Sequence, residues 1–515
     1  MLGMKMHGLC VLLVSMIWLV PLAASDCPSM CTCNRPEEFH CTNITSLVNI
    51  TDRSVVTKLN ITKHSITAIK RGDLAGFAKL QELNITNGAL ATIQGDAFED
   101  VHEHLVVLNL FSNQLADIES GVFFNLTNIE HIFLNNNSLE VIKPGSFAKL
   151  PKLRNLVLSN NKIKSLYENS MVEMAMVDTI RLEFNKIPHL PLNNMSALSS
   201  LKSLFLTNNN ISFLHDEPGL NFPNLETLEL DSNPLEIMGQ FPKIGENLKT
   251  VNLGFTNIRM TDQSTWTNLK GLKTLVLDQT HISILHSGMF FGLNNVSDLL
   301  LLNMHDLETV GPDAFHGLDN LWNVDLRNSK RLSFIDETAF MSTPAIQFLF
   351  LHKCSLTSIP ENLVKWDRLT QVTVGDNPIN CDCKMKWVLD DAQYGTNTAI
   401  KDELQSIVCA QPAPFKGRKI GTLVASNMSC PEMEHKARAV TGIIVAIICV
   451  SIVALFALLF KFRKQILSRC RRYYQYRRYH SDMIFTVDQD TSIAELEDTV
   501  DTKPLANLKL EQSAD

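Results

Sequence analysis

The sequence predicts an α/β solenoid, a horseshoe of short repeats whose strands form one parallel sheet on the concave side. The first observation is the stretch Leu153–Leu166, which reads L-x-x-L-x-L-x-x-N-x-I-x-x-L and alternates apolar and polar residues as a half-buried strand does. The second is that this unit recurs fourteen times at steps of 23 to 25 residues. The third is that two even sets of cysteines flank the array.

A single unit of this kind cannot bury its apolar face, so its recurrence predicts stacking into a continuous core. The first apolar positions of the units are Val56, Leu80, Leu105, Ile129, Leu153, Val177, Leu201, Leu225, Leu248, Leu272, Val296, Leu321, Ile346 and Leu369. The unit resembles the leucine-rich repeat. That resemblance implies an inner parallel sheet and a solenoid of fourteen leucine-rich repeats.

A second apolar column follows each start by about eighteen residues and predicts a spine on the convex side. Its members are Phe123, Phe147, Met171, Met195, Trp266, Phe290, Phe315 and Phe340. This spine marks the longer repeat type typical of animal cell-surface proteins, and we expect these side chains to be core rather than ligand contacts.

The position of Asn161 is asparagine in six consecutive units, where we expect the amide to satisfy backbone groups that the strands leave unpaired. Its equivalents are Asn113, Asn137, Asn185, Asn209 and Asn233. At the same position the other units carry His64, Gly88, Thr256, Thr280, Met304, Ser329, Cys354 and Asn377. We expect looser or differently curved geometry where the asparagine is replaced. Cys354 is expected to be a buried structural thiol.

The N-terminus predicts secretion. Residues 1–25 combine Lys5, an apolar run and the small residues Ala23-Ala24-Ser25, which is the pattern of a cleaved signal peptide. The next cysteines are Cys27, Cys31, Cys33 and Cys41. An oxidising compartment favours disulfides over the alternative, a zinc site. The segment resembles the N-terminal cysteine cap of extracellular leucine-rich repeat proteins, which covers the first strand edge.

A second cysteine set follows the array at Cys381, Cys383, Cys409 and Cys430. The stretch from Asn377 to Trp387 resembles the C-terminal cysteine cap of the same proteins, with Ile379 where that family usually has tryptophan. The pairing within either set is left open by the sequence.

Residues 440–460 carry no charge and are long enough to cross the bilayer as a helix. Eight Lys and Arg follow within 461–480, so the positive-inside rule predicts a type I single-pass protein with its N-terminus outside the cell membrane. Residues 481–515 carry nine acids, and we expect the whole tail to be disordered. Its tyrosines, Tyr473, Tyr474, Tyr476 and Tyr479, predict either an interfacial segment on anionic lipid or a phosphorylation or cytoplasmic adaptor motif.

The predicted organisation follows from these segments. It is a signal peptide (1–25), an N-terminal cysteine cap (26–55), the repeats (56–379), a C-terminal cysteine cap (380–432), a juxtamembrane stretch (433–439), a transmembrane helix (440–460) and a cytoplasmic tail (461–515).

Ten Asn-x-Ser/Thr sequons precede the membrane span, as glycosylation in the secretory lumen requires. They are Asn43, Asn49, Asn60, Asn84, Asn125, Asn136, Asn194, Asn210, Asn295 and Asn427. Asn60 and Asn84 occupy outward strand positions in the first two units. Glycans there would cover the N-terminal part of the concave face, so a partner is expected further along.

The same outward position carries aromatic and charged residues in units four to eight. The predicted ligand-binding residues are Phe111, Phe133, Arg181, Phe184, Phe205 and Glu229. Aromatic side chains on a solvated sheet indicate an interaction surface. The alternative is that neighbouring strands cover the rings from the sides. Further acids at Asp231, Asp278 and Asp325 either meet a basic partner or form a solvated face.

The sequence predicts neither an enzyme nor a cofactor. It contains no phosphate-binding glycine loop, nucleophile elbow or zinc-protease helix motif. The nearest approach to a metal cluster, His102-Glu103-His104, is expected to be a surface turn. A net charge of −8 gives no indication of nucleic acid binding.

These features predict a cell-surface receptor, co-receptor or adhesion protein that binds an extracellular or membrane protein through its repeats. A tail of 55 residues disfavours autonomous signalling. The alternative is a membrane adaptor that acts in cis on the transport or activity of another receptor. The oligomeric state and the ligand are left open, because repeat scaffolds host many unrelated partners.

Overall fold

The computed structural model describes residues 27–167, 169–171, 173–189, 198–214, 222–237, 239–429 and 431–484. They fall into two units, a solenoid up to residue 429 and a helix beyond it. Some predictions concern residues outside this described part. These are the signal peptide (1–25), Asn194, Met195, Cys430 and the tail beyond residue 484.

One sheet of sixteen strands runs through the solenoid. Its strands are β1 (Cys31–Arg35), β2 (Glu38–Thr42), β3 (Lys58–Thr62), β4 (Glu82–Thr86), β5 (Val107–Asn109), β6 (His131–Phe133), β7 (Asn155–Val157), β8 (Thr179–Arg181), β9 (Ser203–Phe205), β10 (Thr227–Glu229), β11 (Thr250–Asn252), β12 (Thr274–Val276), β13 (Asp298–Leu300), β14 (Asn323–Asp325), β15 (Phe348–Phe350) and β16 (Gln371–Thr373). The first two belong to the N-terminal cap, and each repeat contributes one of the others. The predicted α/β solenoid with a parallel sheet is confirmed.

The register of the sheet follows from the constant period of the repeats. β1 and β2 pair antiparallel, and β2 pairs parallel with β3. From there on every neighbouring pair is parallel, and equivalent residues of successive repeats face each other. Alternation along each strand then decides what is buried. In β7, Leu156 is buried, and Leu158 just beyond the strand is buried as well. Each fully buried leucine stabilises the fold by about 1.5–3 kcal/mol.

The convex-side spine is confirmed in the part of the chain that the structure describes. Phe123 and Phe147 are fully buried, with ring centroids 5.5 Å apart. Phe315 lies 6.1 Å from Phe290 and 4.5 Å from Phe340. Met171 and Trp266 are buried too. These side chains therefore form core contacts between repeats and are not available to a ligand.

The return segments of the repeats consist of turns, 3₁₀ turns and very short strands. The short strands are Ala68–Ile69, Thr92–Ile93, Val141–Ile142, Ser165–Leu166, Ile284–Leu285, Thr309–Val310 and Phe334–Ile335. The 3₁₀ turns, caps included, are Leu47–Asn49, Arg53–Val55, Glu99–Val101, Trp366–Arg368, Cys383–Leu389, Asp391–Gln393, Ala413–Phe415, Ile420–Thr422 and Ala425–Asn427. Such compact returns leave the long sheet as the largest regular surface of the solenoid.

The asparagine column bonds neighbouring repeats together. The Asn161 side-chain oxygen accepts the N–H of Leu139, and its amide nitrogen donates to the carbonyls of Leu134 and Leu158, each at 3.0 Å. The same pattern joins the other asparagines of the column to the preceding repeat. The amide satisfies buried backbone groups, as the sequence predicts.

Where the asparagine is replaced, fewer bonds cross between repeats. The hydroxyls of Thr256 and Thr280 donate to carbonyls of their own repeats, those of Leu253 and Leu277. Cys354 is a buried free thiol whose sulfur donates to the carbonyl of Leu326 in the preceding repeat at 3.3 Å. Burial raises the pKa of this thiol to about 12, so it is an unreactive structural group.

The first two repeats lack the asparagine of the column, and the residues that replace it, His64 and Gly88, lie against each other. His64 is only 4% exposed, and both of its ring nitrogens lack a hydrogen-bond partner in the described part of the chain. A Cβ atom on Gly88 would lie 2.3 Å from the His64 ring. The ring therefore takes the space that a side chain at position 88 would fill, and the two substitutions depend on each other.

The N-terminal cap closes the first edge of the sheet. Disulfides join Cys27 to Cys33 and Cys31 to Cys41, the second across the β1–β2 pair. Because β2 pairs with β3, the first repeat has no open strand edge. The predicted disulfide-bonded cap is confirmed, and the pairing that the sequence left open is now assigned.

The C-terminal cap covers the other end. A disulfide joins Cys381 to Cys409, and Cys383 is disulfide-bonded as well. The helix α1 (Thr398–Gln405) lies against β16, where the Glu403 carboxylate accepts the N–H of Val374 at 3.0 Å. Ile379, which replaces the usual tryptophan, is fully buried.

The second unit is a single helix, α2 (Pro431–Ile484). Its stretch Ile444–Lys464 is long and apolar enough to cross a membrane, four residues further along than the predicted span. The expectation of disorder from residue 461 onwards is corrected up to Ile484, where the chain is still helical. A helix that has already formed extends easily through residues such as Leu, Gln, Lys and Arg.

Candidate protein-binding face

The outward residues of the long sheet form one continuous row, which we call the face row. From the first repeat to the last it contains Asn60, Asn84, Asn109, Phe133, Val157, Arg181, Phe205, Glu229, Asn252, Val276, Leu300, Asp325, Phe350 and Thr373. Strands lie about 4.8 Å apart, so neighbouring side chains of the row are in contact distance.

Four of the predicted ligand-binding residues lie in this row, over repeats four to eight. Phe133 and Phe205 are half-buried, and Val157, between Phe133 and Arg181, is only 7% exposed. The strands therefore cover part of each ring from the side and leave the rest facing outward. Phe111 is half-buried beyond the end of β5, and Phe184 is half-exposed in the turn after β8.

Arg181 is held in place from two sides. Its guanidinium carbon lies 4.1 Å above the Phe205 ring, and its Nη1 lies 2.7 Å from the Glu183 carboxylate. Glu183 also accepts the hydroxyl of Ser159 at 2.5 Å. Stacking and ion pairing fix the guanidinium before any partner arrives, which lowers the entropy lost on binding.

The next positions are acidic. Burial raises the pKa of Glu229, and the nearby carboxylates of Asp231 and Glu183 raise it further, whereas a hydrogen bond from Asn252 lowers it. The pKa of Asp278 rises to about 6, mainly because of burial. Carboxylates that raise each other's pKa attract cations, so this part of the face favours a basic partner.

A second group of apolar side chains lies on the face in repeats eleven to thirteen. Trp322 is 41% exposed and packs edge-on against Phe348 with ring centroids 5.1 Å apart. In the face row Leu300 and Phe350 are half-buried, and the Arg327 guanidinium lies 5.2 Å from the centroid of the Phe350 ring. The sequence analysis missed this group. The aromatic residues at both outward positions of β15 were the signal that could have revealed it.

The sequons differ in exposure. Asn43, Asn49, Asn125, Asn136, Asn210, Asn295 and Asn427 are exposed. Asn60 and Asn84 lie on the sheet face as expected, but they are half-buried and hydrogen-bonded, with Nδ2 of Asn84 2.6 Å from Oδ1 of Asn60. Because Nδ2 of Asn84 donates to both Asn60 and Glu82, a glycan attached to that nitrogen would displace one of these two hydrogen bonds.

Within the described residues there is no cluster of three or more His, Cys, Asp or Glu side chains that could hold a metal ion. His102 and Glu103 lie in a turn, where the His102 Nδ1 contacts the Glu99 carbonyl at 2.6 Å. The face thus offers aromatic rings, the guanidinium groups of Arg181 and Arg327 held by rings and carboxylates, and further carboxylates, which is chemistry for recognition.

Comparison with known families agrees with this architecture. The model of the leucine rich repeat family matches residues 103–163, 132–187, 175–235 and 246–303, and that of the BspA type leucine rich repeat region matches 301–382. The chain is a leucine-rich repeat protein.

Solved structures show the same fold. In the complex of Toll with Spatzle from Drosophila, the matched chain is 20% identical with a TM-score of 0.61 over 76% of this leucine-rich repeat protein and 54% of that chain. TLR13 in its complex with ssRNA13 is 22% identical, with a TM-score of 0.55 over 75% of this chain and 55% of that chain. A chain of the LRIM1/APL1C complex is 16% identical, with a TM-score of 0.55 over 88% of this chain and 79% of that chain.

A curated relative is the thyrotropin receptor of Mus musculus, which is 28% identical over 108 residues. That match spans 21% of this chain and 14% of the receptor. The solenoid is therefore a leucine-rich repeat domain that is similar in fold to Toll and TLR13, and part of its sequence is similar to the thyrotropin receptor.

Proposed function

We propose that this leucine-rich repeat protein is a cell-surface receptor, co-receptor or adhesion molecule that binds a protein through the face row of its sheet. The solenoid lies outside the cell, and α2 carries the chain through the membrane into the cytoplasm. The basic residues from Lys461 onwards support this type I orientation.

The observation that carries the proposal is the arrangement of Phe133, Arg181 and Phe205. Two half-buried rings lie on strands three apart, about 14 Å from each other. Between them lies a guanidinium that is already oriented by Phe205 and Glu183. Aromatic and arginine side chains that are fixed before binding contribute most to the affinity of protein interfaces.

The experiment is a double substitution in the full chain on cells, Phe133→Ala with Phe205→Ala. Each ring projects from the sheet, so the core and the caps remain and surface expression should be unchanged. Binding of the partner that proximity labelling recovers should fall at least about 30-fold. The matched control is Phe124→Ala, since Phe124 is 55% exposed but belongs to a return segment. Equal affinity of the double variant and the wild type would overturn the proposed face.

A further inference from the structure

The turn after each strand holds one residue in the left-handed conformation. From the third repeat to the last these residues are Ser112, Asn136, Asn160, Phe184, Asn208, Ser232, Phe255, Gln279, Asn303, Asn328, Lys353 and Asp376, with φ between 52° and 62°. We call this set the turn row. It lies at the edge of the sheet, beside the face row.

The fold imposes this conformation. The backbone N–H of Asn160 donates to the carbonyl of Glu183 in the following repeat, and that of Asn208 donates to Asp231. Phe184 and Phe255 make the same bond, to Thr207 at 2.9 Å and to Asp278 at 2.7 Å. Because the bond recurs from repeat to repeat, the left-handed φ is a requirement of the turn and not a consequence of the side chain.

Phenylalanine suits that conformation poorly. Asparagine and other short polar residues tolerate a positive φ, whereas a bulky side chain is strained there. The two aromatic members of the row are also exposed, Phe184 to 50% and Phe255 to 53%. Each therefore adds backbone strain and solvent-exposed apolar surface, and strained residues of this kind concentrate at functional sites.

The surface between these two rings is acidic. Phe184 belongs to repeat six and Phe255 to repeat nine, so about 14 Å separates their strands. Across that gap the sheet presents the carboxylates of Glu183, Glu229 and Asp231, and Arg181 is its one cation on the two outward positions of β8 to β11 within the described residues. Arg181 is paired with Glu183, which leaves an excess of negative charge.

We propose that Phe184 and Phe255 are paired anchors for an extended basic segment of a protein partner. The inference rests on the proposed function and adds the chemistry of the partner. An extended chain advances about 3.3 Å per residue, so two apolar side chains four residues apart span about 13 Å and lie on one side of it. The segment thus carries apolar residues at positions i and i+4, with Lys or Arg between them.

The test uses the residue that other repeats place in the turn row. Phe184→Asn and Phe255→Asn are made singly and together in the full chain. Because strain and exposed apolar surface are both removed, each single variant should unfold at a temperature about 1–3 °C higher than the wild type. A lower unfolding temperature would show that the ring is needed for packing, and the proposal would fail.

Binding is measured with a phage library of random twelve-residue peptides. It is selected on cells that carry the wild-type chain, with trimmed N-glycans so that no sugar on Asn210 covers the turn row. Enriched peptides should show the apolar i, i+4 spacing with basic residues between. Their affinity should fall at least about 10-fold for the double Asn variant and stay unchanged for the control Asn208→Ser in the same row.

Failure of this inference and failure of the proposed function give different results. Peptides that bind the double variant as tightly as the wild type, or that are acidic, would overturn the inference and leave the proposed function intact. A library from which the wild-type chain enriches no peptide beyond cells that lack it would count against protein recognition itself.

Discussion

The guanidinium carbon of Arg181 lies 4.1 Å above the ring of Phe205, its partner on the neighbouring strand. Both residues fill ordinary outward strand positions. Together they present a flat stacked surface, and Glu183 pairs with the guanidinium and keeps it in one orientation. This pair is the centre of the face that we assign to protein recognition.

Replacement of Arg181 by lysine tests this pair. Lysine keeps the charge but cannot stack as a plane on Phe205 or present the same fork to Glu183. We expect partner affinity to fall about 10-fold, while the free energy of unfolding changes by less than about 1 kcal/mol. Titration of the partner onto cells measures the affinity, and thermal unfolding measures the change in the free energy of unfolding.

The matched control is Arg154→Lys, which alters an exposed arginine of the preceding repeat paired with Glu130. Its affinity should match that of the wild type. Unchanged affinity of Arg181→Lys would mean that any cation at this position suffices and that the stacked geometry has no role, and a similar loss in both variants would mean that the effect is not specific to the stacked pair.

The asparagine column should control stability rather than binding. Asn161→Ala leaves the N–H of Leu139 without its side-chain partner, whereas the carbonyls of Leu134 and Leu158 each keep a second donor, the amides of Asn137 and Asn185. A buried group left unsatisfied costs about 1–3 kcal/mol, so repeats four and five should lose about 1–3 kcal/mol. Native-state hydrogen exchange of β6 and β7 measures this loss.

Asn135→Ala provides the comparison, because the Asn135 side chain makes no hydrogen bond within the described residues although it lies in the equivalent turn of the preceding repeat. Its exchange rates should stay close to those of the wild type. If both variants open equally, the column contributes no more than an ordinary surface residue.

The first repeats should weaken in acid. Burial lowers the pKa of His64 below its ordinary value of 6.5, so the folded chain keeps the ring neutral where the unfolded chain already binds a proton. The stabilisation from the neutral ring is present above pH 6.5 and is lost as the pH falls from 6.5 towards the lowered pKa. The slope is at most about 1.4 kcal/mol per pH unit.

Hydrogen exchange of β3 and β4 between pH 7 and pH 5 detects this loss. His64→Asn should flatten the pH dependence, and His305→Asn, at an exposed position, should leave it as in the wild type. A wild-type profile that stays flat below pH 6.5 would contradict a buried neutral ring.

Opening the C-terminal cap should prevent export. Cys383→Ser removes one of its disulfides and exposes the edge that α1 and the cap cover. We expect retention in the secretory pathway, measured by surface biotinylation. Cys354→Ser should reach the surface normally, since serine can donate to Leu326 as the thiol does. Normal surface levels of Cys383→Ser would mean that the cap is dispensable.

The sequence predicted the solenoid because its information is periodic. The strand register, the buried spine through Phe123 and the bonds of Asn161 all follow from positions that repeat every 23 to 25 residues. The cap disulfides were predictable as a set, but their pairing was not, because spacing alone leaves several connectivities open.

The details of the face were harder to predict because they depend on contacts between repeats. Half-burial of Phe133 depends on which side chains the neighbouring strands supply, and Val157 is covered although it points outward. The strain at Phe184 and Phe255 is set by a turn whose φ no single repeat reveals. The Trp322–Phe348 contact joins residues 26 positions apart and was missed for the same reason.

The most direct test of protein recognition is proximity labelling on live cells, with the labelling enzyme fused to the full chain immediately before Asp26. The account predicts that one extracellular or membrane protein dominates the labelled set, and that it disappears with Phe133→Ala and Phe205→Ala at equal surface expression. Labelling on the same cell would indicate a cis co-receptor or adaptor, and labelling on an untransfected neighbour would indicate adhesion. A labelled set that is identical for the wild type and the double variant would contradict the account.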